Sequence, residues 1–217
     1  MPPQFPLSDA VNLFHNEVRE INAIFKGATG GTRISSYVPE YVPIEDGCLI
    51  SLWDAWNRYL REIVLNSAAG DVLGLSMKIY RNSNPWTENV LLDALKNDQR
   101  KFGIYVPAQE PKWFDLGTLK NIVNSLNLSN SASIVNGVAV STISFPLKNI
   151  PNPLDDIRRC RNYVAHKNPR ALAEIRIHLN HNLPDMSTYL RENFYGGRDR
   201  FSIWIACLEV LASISAQ

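Results

Sequence analysis

The sequence predicts an all-α protein, a bundle of about six to eight helices with irregular loop insertions. Three observations carry this. Apolar residues recur at three- and four-residue steps along most of the chain. The breaks between those stretches fall on Gly, Pro and Asn. The 217 residues suffice for one good-sized core, and we read residues 1–217 as a single domain with a loop-rich insertion around 100–150.

The first helix has Ser8 as a cap and a face of Val11, Phe14, Val18, Ile21 and Phe25, closed by Gly27. A Gly- and Pro-rich loop, GATGGTRISSYVPEYVPIEDG, follows. The second helix is the clearest: Leu49, Leu52, Trp53, Trp56, Tyr59, Leu60, Ile63 and Val64 form one stripe, with Asp54, Arg58, Arg61 and Glu62 opposite. Residues 66–84 read as an irregular connection. Asn84-Pro85 then opens a helix to about Asp98, with the proline in its first turn. Residues 101–114 read as loop and Leu116–Leu128 as helix. The run NLSNSASIVNGVAVSTISF fits either a loop or a short hairpin.

The last third is helical again. NIPNP leads into a helix from Leu154 to about Lys167, and Asn168-Pro169 caps and opens the next. A further helix covers roughly Met186 to Phe194. Gly196-Gly197 breaks it before a final helix from Asp199.

Composition narrows the function. A formal net charge of +1 with 20% charged residues marks no bulk nucleic-acid binder, so any such role needs a local patch. Cys48, Cys160 and Cys207 are scattered, which fits reduced thiols in a cytoplasmic protein. MPPQFPLSDAV lacks the features of a signal peptide. The most apolar segment, Phe201–Ala216, is shorter than the ~20 residues of a membrane span and carries Glu209. No membrane association is expected.

The charged patch is RRCRNYVAHKNPR, residues 158–170. From Asp155 to Arg170 there are five Lys/Arg (Arg158, Arg159, Arg161, Lys167, Arg170) against two Asp, a local net of +3. Asn162 and His166 are four apart and share a helix face. Arg161 lies five before His166, about 140° away around a straight helix. The two converge only if the Arg reaches around, the helix unwinds, or a second copy completes the site across a two-fold axis. The plainer reading is a solvated face, with Asp155 pairing Arg159 and His166 interacting favourably with the helix C-terminus.

Arg161-Asn162, three residues and then His166 resembles the motif of the HEPN superfamily (higher eukaryotes and prokaryotes nucleotide-binding domains), which lies on a late helix of an all-α fold. The resemblance covers mainly residues 154–180. It implies a HEPN-like domain and a metal-independent ribonuclease of toxin–antitoxin or anti-phage type, working as a homodimer in which two motifs face each other. It also implies an antitoxin or defence-system partner. The tyrosine that some members carry two residues after the histidine is Asn168 here.

On that reading the catalytic residues are Arg161, Asn162 and His166, with Arg158, Lys167 and Arg170 on RNA, and no metal or cofactor. Histidine is the side chain that exchanges protons near neutrality. An arginine can grip a phosphate through two parallel hydrogen bonds and offset the charge of a pentavalent intermediate. Attack by the RNA 2′-OH would leave a 2′,3′-cyclic phosphate. The alternative is a non-catalytic helical interaction or nucleotide-binding module. A metal site on His178, His181 and Asp185 ranks lower, because HLNHNLPD lacks the Glu of HExxH. Trp53, Trp56 and Trp204 read as core, whereas Trp86 and Trp113 are the candidates for base stacking. Arg198 and Arg200, beside Tyr195 and Gly-Gly, either extend the basic surface or flank a helix start.

Overall fold

The computed structural model describes residues 5–28, 40, 42–97, 111–146, 148–167, 169–179 and 185–217. Nine helices stand among them, one above the expected range: α1 (Leu7–Ala28), α2 (Val42–Ala69), α3 (Glu88–Asn97), α4 (Leu116–Ser125), α5 (Ser131–Ala139), α6 (Pro153–His166), α7 (Pro169–Leu179), α8 (Met186–Arg191) and α9 (Arg200–Ser215). Strands are short. Phe5–Pro6 (β1), Val72–Leu73 (β2) and Ile79–Tyr80 (β3) form one sheet, parallel then antiparallel. Thr142–Phe145 (β4) pairs with Lys148–Pro151 (β5), and Asn193–Tyr195 (β6) with Arg198–Asp199 (β7), as two separate hairpins. The chain is all-α in class, and among the described residues strands are confined to these small ribbons.

The chain folds into two compact units, residues 1–14, 56–140 and 211–217 in the first and 15–55 and 141–210 in the second. In the first, Phe14, Trp56 and Tyr59 pack ring on ring at centroid distances of 4.9–5.7 Å. Burial of such rings is worth a few kcal/mol each, about 25 cal/mol per Å² of apolar surface. The Tyr59 hydroxyl donates to the Ala212 carbonyl at 2.7 Å and lies 2.7 Å from Ser215 Oγ. Gly137 of α5 sits so close to α9 that a Cβ there would come within 2.4 Å of Ser215 Cβ, which explains a glycine in mid-helix.

In the second unit Phe25 stacks on Phe201 at 4.3 Å, and Tyr189 packs against Trp204. Glu209, the one acid of the apolar last helix, pairs with Arg19 at 3.2 Å. Inside this unit Glu45 of α2 holds Arg191 of α8 through the Arg191 Nε, with side-chain exposures of only 1% and 5%.

Several boundaries differ from the sequence reading. Ser8 lies inside the first turn of α1, one residue after its start, rather than at the cap. The second helix begins at Val42, because Pro43 suits a first turn and Glu45 favours the positive helix end. Pro85 precedes α3 by three residues. The run after Leu128 becomes helix α5, with Asn130 at its N-cap and Ile134 buried, and the hairpin comes only at β4–β5.

Candidate functional site

Helix α6 carries the motif, and its geometry follows from local sequence. Asn152 takes a left-handed conformation and its N–H donates to the Ser141 carbonyl, which turns the chain out of β5. Pro153 then starts the helix, and Asp155 and Asp156 occupy its favourable first turn. Ile157, Cys160 and Val164 form the buried stripe. The helix stays regular through His166. Lys167 ends it in the left-handed conformation (φ 45°, ψ 36°), with its N–H on the Tyr163 carbonyl at 2.6 Å.

That regularity settles one question about the Arg161–His166 gap. The helix does not unwind between the two residues, so their azimuths differ by the full 140° or so of an ideal helix. Relative to the buried stripe, Arg161 lies at its edge, about 40° from Ile157, and His166 lies opposite it. Burial agrees. Arg161 is half-buried and its Nε is shielded from solvent, whereas His166 is exposed. Asn162 is half-buried, one turn before His166.

The three motif side chains share one property. Among the described residues, Arg161, Asn162 and His166 have no hydrogen bond or ion pair from their side chains. The basic residues around them are engaged. Asp155 accepts from Arg158 through Oδ1 and from Arg159 through Oδ2 at 2.9 Å. Burial alone would raise the Asp155 carboxyl, but the hydrogen bonds and charges of these two arginines outweigh that and hold it below the usual carboxylate range. Lys167 Nζ is 3.0 Å from Asp46 Oδ2, and Arg170 Nε is 3.2 Å from Glu174 Oε1.

The local +3 is therefore partly offset within the chain. Arg170 and Glu174 are both exposed, and such a surface pair is worth about 0–1 kcal/mol, whereas Lys167, itself 65% exposed, meets a carboxylate that is only 14% exposed.

Elsewhere the candidates sort as follows. Asp185 caps α8, accepting from Thr188 N at 2.6 Å and Thr188 Oγ1 at 2.9 Å, so its carboxylate has a structural task. His181 and the His178 side chain lie outside the described residues, and no group of three His, Cys, Asp or Glu stands together among the described ones. Trp53, Trp56 and Trp204 are buried. Trp113 is buried too, at 3% exposure, which removes it as a stacking platform, whereas Trp86 is half-buried. Arg200 is buried against Tyr189 and Phe194 and paired with Glu192, so only Arg198 contributes to the surface. Burial raises the thiols of Cys48, to about 11, and Cys207, to about 12, and that of Cys160 further. No helix among the described residues is long and apolar enough to cross a membrane.

The sequence reading missed Asp46, the acidic partner of Lys167. The signal available was VPIED itself, a proline followed by two acids, which is how a helix N-terminus reads. No protein-family model, curated protein or solved structure matches the chain.

Proposed function

We propose that the protein is a metal-independent endoribonuclease of HEPN type, cutting RNA by 2′-OH attack at a composite site made by α6 of two copies. The observation that carries this reading is the unengaged trio on α6. Arg161, Asn162 and His166 bear no side-chain partner among the described residues, while the neighbouring cations are bound to carboxylates. Polar groups held idle on a regular helix are costly to leave unmade when shielded, as Arg161 Nε is. A ligand phosphate supplies the missing acceptor.

In this mechanism Arg161 binds the scissile phosphate and offsets the charge of the pentavalent intermediate. His166 exchanges the proton, and Asn162, one turn away, orients the imidazole or the phosphate. The regular helix keeps Arg161 and His166 of one copy apart, so a second copy facing the first brings an Arg161 to a His166. Arg158, Lys167 and Arg170 extend the phosphate track. An enzyme of this kind acts as a toxin or phage-defence effector, held in check by a partner protein.

The test is RNA cleavage in excess chelator with analysis of the product ends. The proposal requires 2′,3′-cyclic phosphate ends and loss of cleavage in His166→Ala. Equal cleavage by His166→Ala, or cleavage abolished by the chelator, overturns it.

A further inference from the structure

The hairpins β4–β5 and β6–β7, both in the second unit, flank an open cavity of about 780 Å³. This is the size of a pocket for a small ligand or one residue of a polymer, roughly 300–1,000 Å³. Its walls combine two kinds of group. Phe145 and Tyr195 form an aromatic wall, with centroids 6.0 Å apart. Lys148 and Arg198 supply positive charge. The Lys148 ammonium is fixed, donating to the Phe194 carbonyl at 3.2 Å and lying 3.7 Å from the Phe194 ring centroid.

Arg198 is exposed and has no ion pair among the described residues. Among the described residues no carboxylate lines the cavity. The two nearest acids along the hairpin are committed elsewhere: Asp199 accepts from Ser202 N and Oγ, and Glu192 from Arg200. Gly196 and Gly197 make the turn with φ of +57° and +78°, and a Cβ on Gly196 would meet nothing within 4 Å. The turn therefore leaves the rim clear.

We propose that this cavity binds single-stranded nucleic acid, with a base stacked on the Phe145–Tyr195 wall and the adjoining phosphates on Arg198 and Lys148. Every base has a π-face, and a cation beside an aromatic wall is the arrangement that holds a strand without reading its sequence. A duplex, its bases already stacked, offers no face to the wall. The site is separate from the α6 trio and does not depend on cleavage there.

The experiment is fluorescence anisotropy on the full chain with a labelled 2′-O-methyl oligoribonucleotide, which no 2′-OH mechanism can cut, and with the same sequence as single-stranded DNA. The parent binds, more weakly as salt rises. Arg198→Glu and Tyr195→Ala each weaken binding roughly tenfold or more, whereas Arg198→Lys, Tyr195→Phe and Arg81→Glu, a charge reversal outside the cavity lining, stay within about threefold. Circular dichroism and Tm confirm that each variant is folded, and Arg198→Glu, at an exposed position, carries the test if Tyr195→Ala is not.

Stronger binding of the ribose strand identifies RNA as the ligand, and equal binding identifies any single strand. The 2′-O-methyl strand reports binding alone and unmodified RNA reports cleavage, so loss of cleavage and loss of this site are read separately. No binding by the parent to either strand, or Arg198→Glu binding as tightly as the parent, overturns the inference.

Discussion

Replacing Glu45 by Gln removes the carboxylate from a buried guanidinium and keeps the shape of the side chain. Glu45 and Arg191 are 1% and 5% exposed, so water cannot take the place of the lost charge. Breaking one half of such a pair costs about 3–5 kcal/mol, out of the roughly 5–15 kcal/mol that holds a domain folded. For a chain of this length each kcal/mol moves Tm by about 2–4 °C, so Glu45→Gln lowers it by roughly 6–20 °C. Scanning calorimetry reads the shift, and urea titration gives the free energy. The double variant Glu45→Leu/Arg191→Met leaves no charge at this pair's site and regains most of the loss, because an apolar pair of similar volume roughly matches a buried ion pair. A Glu45→Gln protein within about 1 kcal/mol of the parent, or a double variant no more stable than the single, refutes the reasoning.

Three further outcomes follow from the packing. Tyr59→Phe loses one hydroxyl while Ser215 still donates to the Ala212 carbonyl, so urea titration registers a loss of about 1 kcal/mol. Lys167→Gly relieves a left-handed residue, worth about 1 kcal/mol, against the Asp46 pair, half-buried on its acidic side, worth about as much at low salt and weakened by screening as salt rises. Its Tm therefore rises above the parent's in high salt. The buried thiols stay unreactive to a disulfide reagent at pH 8 until the chain unfolds. Unfolded thiols ionise near 9.0 but folded Cys48 and Cys207 only near 11 and 12. Stability is thus unaffected by these groups below pH 9 and falls as pH rises from 9 toward 12, which urea titrations across that range measure.

The helical core was legible because burial imposes a period. Val11, Phe14, Val18, Ile21 and Phe25 are all buried, as are Leu49 through Val64 along the stripe of α2. Helix α6 and its end near Lys167 were equally plain, since Pro153 and Pro169 fix two starts and Ile157, Cys160 and Val164 fix the inner face; Asn168, the expected cap of the next helix, lies outside the described residues. What pairs with what was not legible. Asp46 meets Lys167 and Glu45 meets Arg191 across more than a hundred residues, and charge carries no period that betrays a distant partner. Helix α5 was hidden for another reason. Its Ser- and Asn-rich start looks like loop, and its β-branched tail like strand, whereas packing around Ile134 and Gly137 decides the outcome. Trp113 failed as a surface candidate in the same way, because polar neighbours in sequence said nothing of the core it enters. The five-residue gap between Arg161 and His166 could be read only as three options until the helix was seen to run unbroken through His166.

The claim that two copies build one site is tested most directly by mixing two inactive proteins. Arg161→Ala and His166→Ala are each prepared alone, then unfolded and refolded together, and assayed on RNA in excess chelator. If Arg161 of one copy works with His166 of the other, the mixture regains cleavage that neither variant shows alone, with 2′,3′-cyclic phosphate ends. A mixture as inactive as its two components, from proteins that refold fully when parent is treated the same way, contradicts the account.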